Sequence, residues 1–317
     1  MSDKVIKNPP SDDAYPIVST VFVNKRFGKR EILVNSLSLT VLNLIKQDQI
    51  KCEINWEKSH EVGKKLTETD LEVMKNITLR IANKGELKTS ESLAINLLKT
   101  MNKSKKFNLK DMLKQSKNSS IADKFEKDFA EFKIALENEN GYSPKEYRDI
   151  LANGKFTDKG KDLQKEWEEY QKYLKSTELT EKYPPESIEE NSSQILYGAC
   201  FNIEKDVLKL RDNDSTLSDF IDKDGYKLLN IIFNNTLSHV SEKHKGNGIF
   251  YGVNDKYTIP GGVWEYLKKG ISCPLFRFLR NSSPKKHHGI PKPPSYAKLL
   301  EKSSFLYLRN YFYPIKF

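Results

Sequence analysis

Between Thr67 and Leu210 the apolar residues recur three and four positions apart, a spacing that restricts the middle of this chain to amphipathic helices. Thr67-Glu68-Thr69-Asp70 has the form of a capping box, opening a helix with Leu71, Met74, Ile77 and Ile81 on one face, and Gly85 stands where such a helix stops. Ser90-Glu91 starts another, carrying Leu93, Leu97 and Leu98, and Leu109, Met112 and Leu113 mark a short one. Phe125, Phe129, Phe132 and Leu136 then share a face. Ser143-Pro144-Lys145-Glu146 holds cap, first-turn proline and glutamate in one tetrapeptide. Thr157-Asp158-Lys159-Gly160 leads into Leu163, Trp167, Tyr170 and Leu174, and Ser187-Ile188-Glu189-Glu190 into Leu196, Cys200, Ile203, Val207 and Leu210.

The flanks read differently. The first 14 residues are polar and proline-containing and are expected to be a frayed tail. Ile17 to Val23 is rich in β-branched and aromatic residues and predicts a strand. Leu37, Val41, Leu44 and Ile45 predict a helix with Ser36 as its cap, and Ile50 to Trp56 alternates as a half-buried strand does. Together they suggest a small winged-helix-like unit over residues 15–66, followed by a helical domain over 67–212. Beyond the break at Asp212 to Ser215, Tyr226 to Val240 predicts one more helix. Glycine and proline then crowd the chain, so 213–317 is expected to be loop-rich. The fold class is α+β, mostly α.

Charge divides the chain unevenly. Residues 1–213 hold 37 Lys and Arg against 35 Asp and Glu, whereas residues 214–317 hold 16 against 8. A basic C-terminal third suits a partner with an acidic surface: a protein, nucleic acid or an anionic membrane face. Of the 53 basic residues 45 are Lys and 8 are Arg, which offers point charges rather than the bidentate forks that read phosphate. The candidate contact residues are Lys25, Arg26, Lys29 and Arg30 near the start, and Lys268, Lys269, Lys285, Lys286 and Lys292 near the end. Lys285 to Pro294 is basic and proline-rich, hence extended, and Phe305 to Phe317 is strongly aromatic.

No apolar run approaches the ~20 residues that span a bilayer. Cys52, Cys200 and Cys273 are too few and too scattered for a disulfide framework, and Met1 to Pro10 lacks the apolar stretch of a secretory signal. A cytoplasmic location follows as the expectation, with the inner membrane face as a place of peripheral contact.

Chemistry finds little purchase. Cys200 and His239 are of the right types for nucleophile and base, but Cys200 falls at core spacing on a helix. Cys273, His287 and His288 lack the paired spacing of a structural zinc site. Asp212, Asp214, Asp222 and Asp224 do not fit a calcium loop, because aligning Gly225 puts Phe220 and Ile231 at ligand positions. Glu166, Glu168 and Glu169 form a solvated helix face. No cofactor, metal or small-molecule substrate is expected, and enzyme chemistry in the glycine-rich loops of 246–262 ranks last.

Phe156-Thr157-Asp158-Lys159-Gly160-Lys161 running into Trp167 and Tyr170 to Leu174, then Tyr183-Pro184-Pro185-Glu186-Ser187 running into Ile195 to Ile203, resembles one known family. It is the prokaryotic membrane-protein family known as domain of unknown function twenty-two-oh-seven, in its cytoplasmic part. The resemblance extends over residues 15–212. It implies a helical cytoplasmic module beside a membrane and no catalytic residues. Trp167, Tyr170, Leu174, Leu196 and Cys200 are then expected to form the seam between two packed helices. The leading expectation is a non-enzymatic interaction or regulatory module; the alternative is a winged-helix nucleic-acid-binding protein.

Overall fold

A helix buried on every side organises this protein. In the computed structural model, α2 (Arg30–Lys46) buries Val34, then every residue from Ser36 to Leu42, then Leu44 and Ile45. A sequence with leucine, valine and isoleucine interleaved only by small hydroxyls can be surrounded in this way. Two of the three hydroxyls find partners: Thr40 Oγ1 donates to the Ser36 carbonyl at 2.9 Å, and Ser36 shares a 3.0 Å hydrogen bond with Thr20.

The structure describes residues 6–23, 30–63, 65–82, 85–102, 104–140, 150–152, 155–211 and 215–245. All of these lie in one unit, Met1–Glu265; a second, Tyr266–Phe317, lies outside the described residues.

The other elements follow in chain order. A short α1 (Tyr15–Ile17) runs straight into a π-helical turn, Val18–Val23. After α2 come β1 (Ile50–Ile54), α3 (Glu68–Asn76), β2 (Ile77–Ile81), α4 (Thr89–Met101), β3 (Lys106–Asn108), α5 (Leu109–Gln115) and α6 (Ser119–Glu139). A small ribbon, β4 (Leu151–Ala152) and β5 (Lys155–Phe156), precedes α7 (Asp158–Lys175), α8 (Thr177–Lys182), α9 (Ile188–Cys200), α10 (Glu204–Lys209), α11 (Thr216–Asp222) and α12 (Gly225–Lys245). Helix α2 touches α1, the π-turn, α4, α9, α11, α12 and β1. The fold is α+β and mostly α, as the periodicity predicts. Among the described residues no helix is long and apolar enough to cross a membrane.

The sheet is antiparallel in the order β1-β2-β3, with Ile50 opposite Ile81, Ile54 opposite Ile77, and Leu79 opposite Phe107. It therefore crosses the boundary expected at residue 66, and β2 reaches β3 through α4 rather than through the hairpin of a wing. The body is continued by α11 and α12 across the boundary expected at 213. Phe233 of α12 stacks on Phe125 of α6 at 5.7 Å, and Phe125, Phe129 and Phe132 run along α6 as a buried aromatic row.

Four local expectations give way. Ser36, expected to cap its helix, lies inside α2, which begins at Arg30. Ile17 to Val23 is helical, because burial on all sides suits its apolar residues as well as a sheet face would. The capping box at Thr67 forms, but its helix ends at Asn76, and Ile77, Leu79 and Ile81 alternate as β2; Gly85 follows at φ +84°, in the turn that leaves the strand. The helix from Ser187 breaks after Cys200, where Asn202 takes φ +57° and α10 restarts at Glu204. The helix start expected at Ser143-Pro144 lies outside the described residues.

Candidate functional site

The basic residues singled out from the sequence are not brought together by the described structure. Lys25, Arg26, Lys29, Lys268, Lys269, Lys285, Lys286 and Lys292 lie outside the described residues, and Arg30 is the first residue of α2 with its side chain undescribed. The loops of 246–262, with Cys273, His287 and His288, also lie outside them.

The α7 face of the expected seam is buried, and it packs on α9. Thr157 caps α7, accepting from Gly160 N at 3.1 Å, and sets the helix so that Trp167, Tyr170, Tyr173 and Leu174 turn inward. They meet Gln194 and Tyr197 of α9, and Leu196 and Cys200, expected in the same seam, are buried. The Trp167 ring lies 5.4 Å from Tyr197 and 5.8 Å from Tyr170, and Tyr170 meets Tyr197 edge-on at 5.5 Å. Burial pushes the hydroxyls of Tyr170 and Tyr197 well above their ordinary value, and that of Tyr15 up to about 12. These phenols stay protonated at neutral pH, so the cluster offers apolar area and neutral donors, not general bases.

At the edge of the seam Arg211 is almost wholly enclosed. Its Nε donates to Gln194 Oε1 at 2.7 Å, and its Nη1 donates to Thr180 Oγ1 at 3.1 Å and to the Leu210 carbonyl at 3.2 Å. The guanidinium also stands 6.0 Å over the Tyr173 ring. Gln194 Nε2 in turn donates to Glu190 Oε1 at 3.2 Å. Sequence spacing had not singled out Arg211, since one basic residue at the end of an apolar face carries no pattern.

Cys200 is fully buried and donates from Sγ to the Tyr15 carbonyl at 3.2 Å. Burial drives its thiol well above 9.0, so no thiolate forms at neutral pH. His239 lies on α12, and among the described residues the hydrogen bond of Cys200 goes to Tyr15, not to His239. Glu166, Glu168 and Glu169 are exposed, as expected of a solvated face.

A polar clasp joins the loop after β1 to the α11–α12 corner. Ser59 Oγ donates to Asp222 Oδ2 at 3.0 Å, His60 N to the Asp222 carbonyl at 3.2 Å, and Val62 N to Asp224 Oδ2 at 2.6 Å. Lys205 Nζ lies 3.0 Å from Asp224 and donates to the His60 carbonyl. The His60 ring pairs with Asp70 at 2.8 Å, and Asp70 also closes the capping box of α3. Asp222 and Asp224 thus hold backbone amides and lysines. Among the described residues no group of three or more His, Cys, Asp or Glu is arranged to hold a metal ion.

Ahead of α1 lies a strap in the stretch that the sequence marks as a frayed tail. Residues 6–14 have no regular secondary structure. Ile6 and Ala14 nonetheless pack against the core, and Lys7 Nζ sits 5.7 Å over the ring of Tyr183. Tyr15, which follows the strap, sets its ring 4.7 Å from that of Tyr197 at a tilt of 58°. Among the described residues, no backbone hydrogen bond ties residues 6–12 to another element. At its end the Ala14 carbonyl accepts from Ile17 N at 2.8 Å and Val18 N at 3.1 Å.

No family model, no curated protein and no solved structure matches this chain.

Proposed function

We propose that this protein is a non-enzymatic interaction module: a helical body that carries a basic C-terminal third to an acidic protein partner in the cytoplasm, at or near the inner membrane face. The observation that carries the reading is the charge division, with 16 basic against 8 acidic residues in 214–317 and near balance before it. The described body supports it, because its residues of reactive type are spent on packing. Cys200 is a buried thiol, the seam phenols are neutral, and Asp222 and Asp224 bind loop amides and lysines. Lysine in place of arginine favours a diffuse carboxylate surface over phosphate forks.

The test compares the full chain with a variant in which Lys268, Lys269, Lys285, Lys286 and Lys292 are changed to Glu. Binding is measured to poly-glutamate, to a DNA duplex and to phosphatidylserine vesicles over a salt series. The proposal expects poly-glutamate to bind most tightly to the parent and the variant to lose that binding. Preference for the duplex, with a steep salt slope that weakens on substituting Lys25, Arg26, Lys29 and Arg30, transfers the function to nucleic acid. Equal binding by parent and variant removes the C-terminal third from the account.

A further inference from the structure

One face of the three-stranded sheet carries a row of like charges. The register sets Lys51 of β1 opposite Arg80 of β2, and Arg80 opposite Lys106 of β3. Neighbouring strands lie about 4.8 Å apart, so three cations stand in a line about 10 Å long. Alternation gives this face Lys51, Glu53, Thr78, Arg80, Lys106 and Asn108, while Ile50, Ile77, Leu79, Ile81 and Phe107 turn into the core. Arg80 and Lys106 are exposed and Lys51 is half-buried.

Like charges directly opposite one another weaken a sheet. A lysine on an outer strand guards against edge pairing, which accounts for Lys51 and Lys106. It does not account for Arg80, on the central strand between them. Nor is the row neutralised in place. Glu53, the acid on this face, lies 2.7 Å from Lys106 Nζ; the hydrogen bond and charge of Lys106, then the charge of Arg80, hold its carboxyl below the ordinary value. Among the described residues no carboxylate comes within ion-pair distance of Lys51 or Arg80. The chain on either side of β3 adds to the same sign. Residues 99–117 hold seven lysines against one acid, Asp111. Lys105 and Lys114 are exposed, and Lys110 pairs with Glu72 at 3.3 Å.

A line of cations suits a linear polyanion with evenly spaced charges. Its central member is one of only 8 arginines in the chain, and a planar fork matches the paired oxygens of a phosphodiester. The Thr78 hydroxyl and the Asn108 amide stand in the adjoining row as further donors. Glu53, exposed in that same row, would oppose a flat anionic membrane, whereas a backbone that follows the cations passes beside it. The six residues of the face include no aromatic, so there is no platform for the stacked bases of a single strand. We propose that this sheet face, with Arg80 at its centre, binds the phosphodiester backbone of double-stranded nucleic acid without regard to sequence. The acidic-partner reading rests on the C-terminal third; this second surface uses other residues and stands or falls separately.

The test follows the anisotropy of a short fluorescein-labelled DNA duplex over a salt series. It is run with the full chain, and again with the chain carrying the five C-terminal lysine-to-glutamate changes given above. Arg80→Glu is expected to weaken duplex binding about ten-fold in both. Lys51→Gln with Lys106→Gln is expected to lower the slope of log K against log salt by about two, one for each phosphate contact released. Arg80→Glu sets a carboxylate between two lysines, so it should melt no lower than its parent, and its loss of binding is then read on an intact fold. Lys165→Glu with Lys175→Glu, a larger charge change on the exposed side of α7, is expected to leave duplex binding unchanged. Undiminished duplex affinity in Arg80→Glu overturns the proposal, as does an equal loss in the α7 variant, which makes net charge the cause. Tighter binding of a single strand than of the duplex overturns the duplex as occupant. So does a dependence on Arg80 that appears only with poly-glutamate or phosphatidylserine vesicles. Duplex binding through Arg80 without poly-glutamate binding sinks only the acidic partner.

Discussion

Arg211 and Gln194, on neighbouring elements, are joined by a 2.7 Å hydrogen bond from Nε to Oε1, and the guanidinium that makes it also holds Thr180 and faces the ring of Tyr173. One planar group thus ties together α7, α8, α9 and the end of α10. A lysine carries the charge but not the fork, and cannot reach Gln194 and Thr180 together while lying over a ring. Arg211→Lys is expected to cost about 2 kcal/mol, the loss of one charged hydrogen bond in an enclosed site. Urea unfolding checks this as a lowered midpoint with an unchanged slope.

Asp70 is where acid acts on the fold. Burial pushes its carboxyl up, but hydrogen bonds from Thr67 and His60 outweigh burial and hold it below the ordinary 3.8. A depressed carboxyl contributes stability above its unfolded value and loses it as pH falls through the folded one. The parent's melting temperature should therefore drop as pH falls below about 4, and Asp70→Asn should be less stable at pH 7 and flatter in that acid range. Parallel melting curves for parent and variant would contradict the assignment.

Glu204 has the opposite sign. It is buried at the start of α10, its Oε2 has no hydrogen-bond partner among the described residues, and burial raises its carboxyl above 4.5. A raised carboxyl contributes most when protonated, and that contribution is lost as pH rises through the folded value. Glu204→Gln keeps the shape and removes the charge, so it should stabilise the protein by about 1 kcal/mol at pH 8 and make no gain at pH 4. Melting temperature followed from pH 4 to pH 8 is the readout.

Gly160 sits in the first turn of α7, where a Cβ would stand 2.2 Å from the Ile150 carbonyl oxygen and 2.9 Å from Phe156 Cδ1. The obstacle is backbone, which cannot swing aside. Gly160→Ala should cost about 3 kcal/mol by overpacking, despite alanine's better helix propensity. Chemical unfolding separates this from a gain, since propensity alone would raise the midpoint.

How much of this was legible in sequence depends on how local each cause is. The capping box at Thr67, the cap at Thr157 and the phenylalanine row of α6 are written within a few residues and were read correctly. Leu71, Met74, Ile77 and Ile81 satisfy helical spacing, yet Ile77, Leu79 and Ile81 also satisfy strand alternation; pairing with Ile50 to Ile54 decides between them. Asn202 was the available sign that α9 would break, being a residue that tolerates a left-handed backbone. The clasp at Asp222 and Asp224 and the meeting of Lys7 with the Tyr183 ring join residues more than 150 positions apart, and no window along one chain contains them.

The all-round burial of α2 has a consequence for how the protein is made. Its neighbours include α1 on one side of it in the chain and α12, beginning only at Gly225, on the other. While the ribosome is still between them, α2 is a stretch of leucine, valine and isoleucine with one wall missing. The nascent chain carries that helix incompletely covered through most of its synthesis, until α12 emerges to close the last wall.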